Sequence, residues 1–499
     1  MRIFEGGFIM SSNSVNVKDL KFKIDSLDVK NNSIIIYGKC SNLFKCNSFY
    51  FLDNLDNKYD VNYLDSISSD INIFMVEIAM DGLKSLVPKL CVESDVYSLK
   101  IEFGINSKLN SVFASLYLNG TNNIVKYNKV ENRFDIYKNN LFNSILFELK
   151  CIYFLIKKKK IKNLFIREWI NICNFFKSRE LWLITDRSDY ANDNGEEFFK
   201  HVINEELNPD TKYFFALDKK SRDYKRLYYN YSNVININSL RYKLLFLNCD
   251  KVVSSHIDNI NINPFLEDKI YLSDLYRHKF IYLRHRNNLK NIVSNNLDID
   301  MITTNNKEEY DYLSDNMIKK DSVKLTGYAR CDFTSDSIKK KQILVLSSLR
   351  SEESDCFSFY NRLINDDRIL EVLDKYDYKI RFICDNYNDF DKNDLVSFGN
   401  KDIIYSDEFN SSSLLITDSI DLGNDFAYLK RPVIYNSFGK DEDFLFGEVC
   451  SKYDSLVKEI IKCIKKDCSF DKKYEKKVDK YFEYLDNGNC KRIYDEIVK

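Results

Sequence analysis

Proline, glycine and tryptophan are scarce: 4, 13 and 2 in 499 residues. That scarcity argues against collagen-like and low-complexity chains. Neither sign of charge dominates, with 74 Lys+Arg against 75 Asp+Glu and a formal net charge of -1, so the chain has no global attraction to nucleic acid and any basic function must be local. The 13 cysteines, an odd number, contain no C-x-x-C pair, which suggests neither a zinc site nor a regular disulfide framework and fits reduced thiols in the cytoplasm. No window approaches 18 uninterrupted apolar residues, and the start MRIFEGGFIMSSNSVN lacks an apolar stretch of signal-peptide length, so neither a membrane span nor a leader is expected. G-x-G-x-x-G and Walker loops are missing too, which disfavours a nicotinamide or ATP site.

What is present can build large cores, since 44% of residues are hydrophobic and 14% aromatic. A chain this long does not fold around one core, and two or three domains are expected. From about residue 20 to 138 short alternating runs such as FKIDSLDV, SIIIYGKC and NSFYFLD are broken by Asn, Asp, Ser and Gly. Period-two alternation between turn residues predicts an antiparallel β-sandwich, preceded by a tail over 1–19.

The pattern changes in LFNSILFELKCIYFLIKKKKIKNLFIREWINICNFFKSRE, where apolar residues recur at helical spacing. Residues 139–180 therefore read as a basic amphipathic helical linker. Lys157, Lys158, Lys159 and Lys160, with Trp169 at the acyl boundary, could hold it on an anionic membrane surface, each near-surface cation contributing roughly 1 kcal/mol. A connecting helix packed on the next domain gives the same periodicity.

After Leu181 strands and helices alternate: LWLIT, YFFAL, VININ, KVVSS, KFIYLRH, DMITT, ILVLSS, KIRFIC, LLITD and PVIYN, with helical stretches between them. Such βαβ units imply parallel sheets, and their number exceeds one ordinary sheet. A break near 333–340 divides them into two doubly wound, Rossmann-like domains facing a cleft, over 181–335 and 336–499. Ligands of such sheets sit outside the carboxyl ends of the strands. His285 follows one strand end, Arg330 and Asp332 lie in TGYARCDF, Arg350 closes ILVLSSLR, and Thr417, Asp418, Ser419 and Asp425 lie in LLITDSIDLGND. Imidazole suits proton abstraction near neutral pH, and a permanently charged guanidinium suits phosphate. Each has a plainer reading as well: a strand-end histidine, an Arg330–Asp332 ion pair, or Asp425 capping a helix. Asp186-Arg187 and Asp193-Asn194-Gly195 read as turn and helix entry. Ser254-Ser255-His256 shows no partnering acid.

LWLITDRSDYANDNGEEFFKHV, KVVSSHID, KFIYLRHRNNLK, MITTNNKEEYDYL, KLTGYARCDF, ILVLSSLR and LLITDSIDLGNDFAYLKRPVIYN together resemble, in order, blocks of the CDP-glycerol glycerophosphotransferases, the teichoic acid polymerases and primases. The resemblance spans about residues 181–445. It implies a GT-B type fold and transfer of glycerol phosphate or ribitol phosphate from a CDP-activated donor to a hydroxyl of a lipid-linked or polymeric acceptor, with release of CMP. It also implies work at the cytoplasmic membrane face, and no required metal or cofactor. His285 would be the general base, while Arg330, Asp332, Arg350, Thr417, Asp418, Ser419 and Asp425 would surround the donor.

Several positions depart from the family. Arg286 stands for a glycine, Cys384-Asp385 for a His-Pro, and Ile420 and Asp421 for two serines whose hydroxyls cradle donor phosphate; Arg350 lacks its neighbouring Pro and Trp. A degenerate binding or scaffold protein, or a GT-B transferase with another nucleotide donor, are the alternatives these departures leave open.

Overall fold

The computed structural model describes residues 22–30, 33–41, 47–68, 71–92, 95–98, 102–103, 115–117, 123–128, 130–138, 140–175, 178–257, 263–265, 272, 275–276, 278–285, 289, 292, 299–317, 320–332, 340–346, 354–384, 393–399, 405–436 and 445–499. Its first part is two sheets face to face. Phe22–Lys30, Ser33–Ser41, Asn62–Ser68 and Ile71–Ala79 form an antiparallel sheet, to which Glu102–Phe103 adds in parallel. Asn47–Asp53 and Ser85–Val92 are central strands of the other, whose pairs are all antiparallel. Inward residues of both, Ile34, Ile36, Phe74 and Val76 against Phe49, Phe51, Leu90 and Phe134, make one core. Alternate strand residues point to one face, so the period-two runs become the buried sides of a sandwich.

Two helices follow, Leu141–Lys157 and Ile161–Phe175. They are clasped by Arg167, which is buried and donates through Nη2 to Glu148 at 2.9 Å. The packing divides this segment into a buried and an exposed side. Leu155, Ile166 and Ile170 join the core beneath the next sheet, whereas Phe142, Ile145, Leu149, Tyr153, Ile156, Phe165, Trp169 and Ile172 stay exposed. Lys157, Lys158, Lys159 and Lys160 are exposed at the turn between the helices.

The remainder holds two parallel sheets. Glu180–Thr185, Thr211–Leu217, Val234–Asn236, Lys251–Ser254, Lys279–Tyr282, Met301–Thr304 and Val323–Leu325 lie in spatial order 3-2-1-4-5-6-7. Gln342–Leu346, Lys379–Ile383, Val396–Gly399, Leu414–Thr417, Val433–Tyr435 and Glu448–Val449 lie in order 3-2-1-4-5-6. Buried on both faces, these strands read as continuous apolar runs rather than alternating ones. Strand order reverses between the first and fourth strand of each sheet, where Thr185 neighbours Ser254 and Leu346 neighbours Thr417. Such reversals open crevices at the strand ends.

The last helix, Asn489–Val498, was expected within the 336–499 domain. Instead, Cys490, Ile493 and Ile497 pack with Trp182 and Phe215 of the first parallel sheet and Phe198 of a helix that covers it. The chain end therefore ties the two parallel units together.

Candidate active site

At the first reversal the chain leaves Thr185 into Asp186, which is fully buried. Its carboxylate accepts from the N–H of Gly195 at 2.7 Å, Glu196 at 3.0 Å and Asp193 at 3.3 Å, and from the Ser255 hydroxyl at 2.6 Å. One side chain thereby fastens the start of helix Asn194–Asn204 to the loop after the fourth strand. Gly195 is required for this approach, because a Cβ there would lie 2.5 Å from Asp186 Oδ1. Burial, reinforced by the Asp193 charge, pushes the Asp186 carboxyl well above its usual range, although Ser255 and the Gly195 N–H oppose it.

Asp193 caps the same helix, accepting from Asn194 N at 2.8 Å. Three cations or potential cations surround it. His285 Nδ1 bonds Asp193 Oδ2, His256 Nε2 lies 3.4 Å from that oxygen, and Arg330 Nη1 lies 3.2 Å from Oδ1. Burial alone would raise this carboxyl, but the close approach of His256, the hydrogen bond with His285 and the charge on Arg330 outweigh it and hold Asp193 ionised far below the usual range. The imidazoles of His256 and His285 lie 4.3 Å apart between centroids. With Nδ1 committed to Asp193, Nε2 is the nitrogen of His285 left to take a proton. Asp193, His256 and His285 also offer metal-ligand atoms within 4.8 Å of one another, a cluster no sequence spacing reveals. The nearby Arg330 guanidinium already supplies positive charge to Asp193.

His285 is aimed by the residue before it. Arg284 adopts φ +59°, the left-handed region that an L-residue with a long side chain enters only under constraint. The constraint is visible: the buried Arg284 guanidinium donates to Glu309 at 2.7 Å, and its backbone carbonyl accepts from Asn194 Nδ2 at 2.7 Å. Asn194 Oδ1 in turn accepts from Arg330 N at 2.9 Å. A single amide thus fixes the loops that carry His285 and Arg330 relative to Asp193.

Across the crevice, Arg330 Nε donates to Asp425 at 3.0 Å. Asp425 is not the helix cap; it is the sixth residue of helix Ile420–Ala427, whose cap is Ser419, accepting from Leu422 N at 3.4 Å. Burial raises the Asp425 carboxyl to about 6, helped by Asp421 and Asp193 and opposed by Arg330. His285, Arg330, Asp421, Asp425 and Tyr481 line one cleft.

The expected residues therefore separate. His285, Arg330 and Asp425 converge. Thr417 and Ser419 serve locally, since Thr417 Oγ1 accepts from Ser419 N at 3.1 Å and Ser419 caps the helix; Asp418 lies half-buried between them. Asp332 is corrected: it pairs with neither Arg330 nor the cleft, and its two oxygens accept from Asn489 N at 2.9 Å and Cys490 N at 2.6 Å, anchoring the last helix. Cys384 is buried in the core of the second parallel sheet, packed among apolar side chains rather than presented to a ligand. Arg286, Arg350 and Asp385 lie outside the described residues, and so does the break expected near 333–340 apart from its last residue.

Asp186, Asp193, Asn194 and His256 were not expected at the site. Ser255 and His256 do have partnering acids, Asp186 and Asp193, supplied by the loop that follows strand Glu180–Thr185. The signal available in the sequence was position: both DNG and SSH follow strands that border a reversal of strand order.

Comparison with known proteins agrees with this architecture. Residues 166–499 match the family described as CDP-Glycerol:Poly(glycerophosphate) glycerophosphotransferase. The minor teichoic acid biosynthesis protein GgaB of Bacillus subtilis (strain 168) is 32% identical over 449 residues, covering 80% of this chain and 49% of GgaB. This chain thus spans about half the length of that relative. A structure of the wall teichoic acid polymerase TagF superposes with a TM-score of 0.50 at 14% identity, over 71% of this chain and 97% of that one, a likeness of fold. With the family match covering two parallel, doubly wound sheets and the cleft between them, the chain belongs to the CDP-glycerol:poly(glycerophosphate) glycerophosphotransferase family.

Proposed function

We propose that this chain transfers glycerol phosphate, or a related polyol phosphate, from a CDP-activated donor to a hydroxyl of a growing surface polymer such as teichoic acid or capsule. The observation that carries the reading is the Asp193–His285 pair, with His285 at the cleft. In the step, the acceptor hydroxyl attacks the donor β-phosphorus while its proton passes to His285 Nε2. The new O–P bond forms as the bond to CMP breaks, and CMP leaves with the electron pair. Asp193 stabilises the imidazolium that results, and Arg330 balances the charge of Asp193 and Asp425. Positioning supplies most of the remaining acceleration, as in other phosphoryl transfers.

Peripheral attachment to the inner face of the membrane completes the proposal. The exposed apolar stripes Phe142–Ile156 and Phe165–Ile172, next to exposed Lys157, Lys158, Lys159 and Lys160, support it. A soluble surface rarely leaves such contiguous apolar area uncovered. Among the described residues no helix is long and apolar enough to cross a membrane, so attachment would lie in the interface plane.

The test is release of CMP from CDP-glycerol by purified protein supplied with membrane extract as acceptor, beside His285→Ala. Release that needs His285 supports the reading. A His285→Ala protein that is folded and equally active overturns it. A different nucleotide donor is the second reading, favoured by Asp421 at the place where phosphate-binding hydroxyls were expected.

A further inference from the structure

Asp193, His256 and His285 hold more donor atoms than one shared proton satisfies. His256 Nε2 is buried 3.4 Å from Asp193 Oδ2 and finds no hydrogen-bond partner among the described residues. Leaving a buried polar atom unpaired costs about 1–3 kcal/mol, so its persistence here calls for an explanation. The same Asp193 oxygen meets His285 Nδ1, and the three donor atoms lie within 4.8 Å of one another. Around a tetrahedral zinc ion, with bonds of about 2.0–2.2 Å, ligand atoms stand roughly 3.3–3.6 Å apart. The Asp193–His256 edge already has that length.

The surroundings hold the set in place. Asp193 Oδ1 accepts from Asn194 N at 2.8 Å and from Arg330 Nη1 at 3.2 Å, which commits that oxygen and leaves Oδ2 for a single metal bond. The Ser254 hydroxyl accepts from His256 N at 3.1 Å and donates to its carbonyl at 2.8 Å, fixing the loop that carries the second imidazole. Two imidazoles and one carboxylate oxygen suit zinc, whereas magnesium and calcium take oxygen ligands and water. Arg330 repels any cation at this distance, so binding is reversible rather than that of a permanent structural centre.

We propose that Asp193 Oδ2, His256 Nε2 and His285 Nδ1 bind one zinc ion reversibly and that the bound ion switches transfer off. The ion parts His285 Nδ1 from Asp193 Oδ2 to the spacing of metal ligands, and the His285 ring, the most exposed of the three side chains, has the freedom to turn. Nδ1 then gives its lone pair to zinc, its proton leaves through solvent, and the neutral ring carries its single hydrogen on Nε2. A ring in that state has no lone pair for the acceptor's proton. The switching step rests on the proposed role of His285 as base; the metal site rests on the three donor atoms alone.

Zinc titrated into metal-free protein against a chromophoric chelator, cobalt(II) absorption with that ion in its place, and CMP release from CDP-glycerol test the inference together. One zinc is expected to bind per chain, and Asp193→Asn and His256→Gln each weaken it at least tenfold in protein that melts as wild type. Bound cobalt shows the absorption of a tetrahedral ion with nitrogen and oxygen ligands and no thiolate charge-transfer band. Zinc at saturation abolishes CMP release by the wild type, and chelator restores it. No zinc bound, a thiolate band from the cysteines, or affinity indifferent to both substitutions overturns the site, and full release from zinc-saturated protein overturns the switch. Where a variant fails to fold, the cobalt spectrum of the wild type still decides. Metal-free protein that binds zinc here yet releases no CMP contradicts the transfer reading and leaves the site standing.

Discussion

Arg330, at the end of the first parallel sheet, donates through Nε to Asp425 on a helix of the second, at 3.0 Å. Its Nη1 reaches Asp193 Oδ1 at 3.2 Å, so one nearly buried guanidinium links the two parallel units at the candidate reaction centre. Burial disfavours its charge, but Asp425 and Asp193 more than compensate and raise its pKa well above normal.

Arg330→Met leaves both carboxylates without their partner. Removing one member of a buried ionic group costs about 3–5 kcal/mol. Urea unfolding is expected to show a loss of that order. A change under ~1 kcal/mol, the range of exposed pairs, would show that the bridge is not formed in solution.

Asp425 makes stability depend on pH in a definite direction. Its folded pKa, about 6, lies above the ordinary 3.8, so the folded state takes up its proton more readily than the unfolded state. The stability that this protonation contributes is complete below pH ~4 and is lost as pH rises through about 6, at up to ~1.4 kcal/mol per unit. Asp425→Asn removes this dependence, and the difference in unfolding free energy between wild type and variant should fall from pH 4 to 6.5. A difference that rises over the window contradicts the assignment.

Much of this architecture could be read from the chain because local and global signals agree. Continuous apolar runs such as LLIT report a sheet buried on both faces directly, whereas SIIIYGKC, taken as an alternating run, is buried from Ile34 to Gly38. His285 was visible because it follows such a run, and Arg330 because it lies in the loop text TGYARCDF. Asp193 was hidden because an Asp before a helix is also the ordinary cap, and this residue performs both duties at once. His256 was hidden because its acid lies 63 positions away (256 minus 193), in a strand-end loop brought alongside only by parallel pairing. Asp332 misled for the opposite reason: its neighbour Arg330 does enter the cleft, but the chain turns between them through a short 3-10 helix, Ala329–Cys331.

Asp332→Ala tests that distinction. Loss of the acceptor for two backbone N–H donors at the start of the last helix is expected to cost about 1 kcal/mol, on the scale of a helix cap. The KM for CDP-glycerol should stay as in wild type. A raised KM with unaltered stability would return Asp332 to the donor site.

The helical hairpin gives a third kind of test. Replacing Lys157, Lys158, Lys159 and Lys160 with glutamate removes roughly 1 kcal/mol of attraction per cation and adds repulsion. Co-sedimentation with vesicles containing phosphatidylserine should be lost, and binding of the wild type should weaken with salt. Unchanged pelleting of the glutamate variant contradicts attachment through this surface.

The central claim is that Asp193 and His285 act as one unit on the acceptor's proton, and a kinetic double-mutant cycle tests it most directly. CMP release is measured for wild type, Asp193→Asn, His285→Ala and the double variant, each confirmed as folded. General-base catalysis is worth about 10²–10⁴-fold, so His285→Ala should fall by that order. Groups that act together are not additive, and the double variant should be no slower than His285→Ala alone. Wild-type turnover in His285→Ala, or a double variant slowed by the product of the two single effects, would contradict the account.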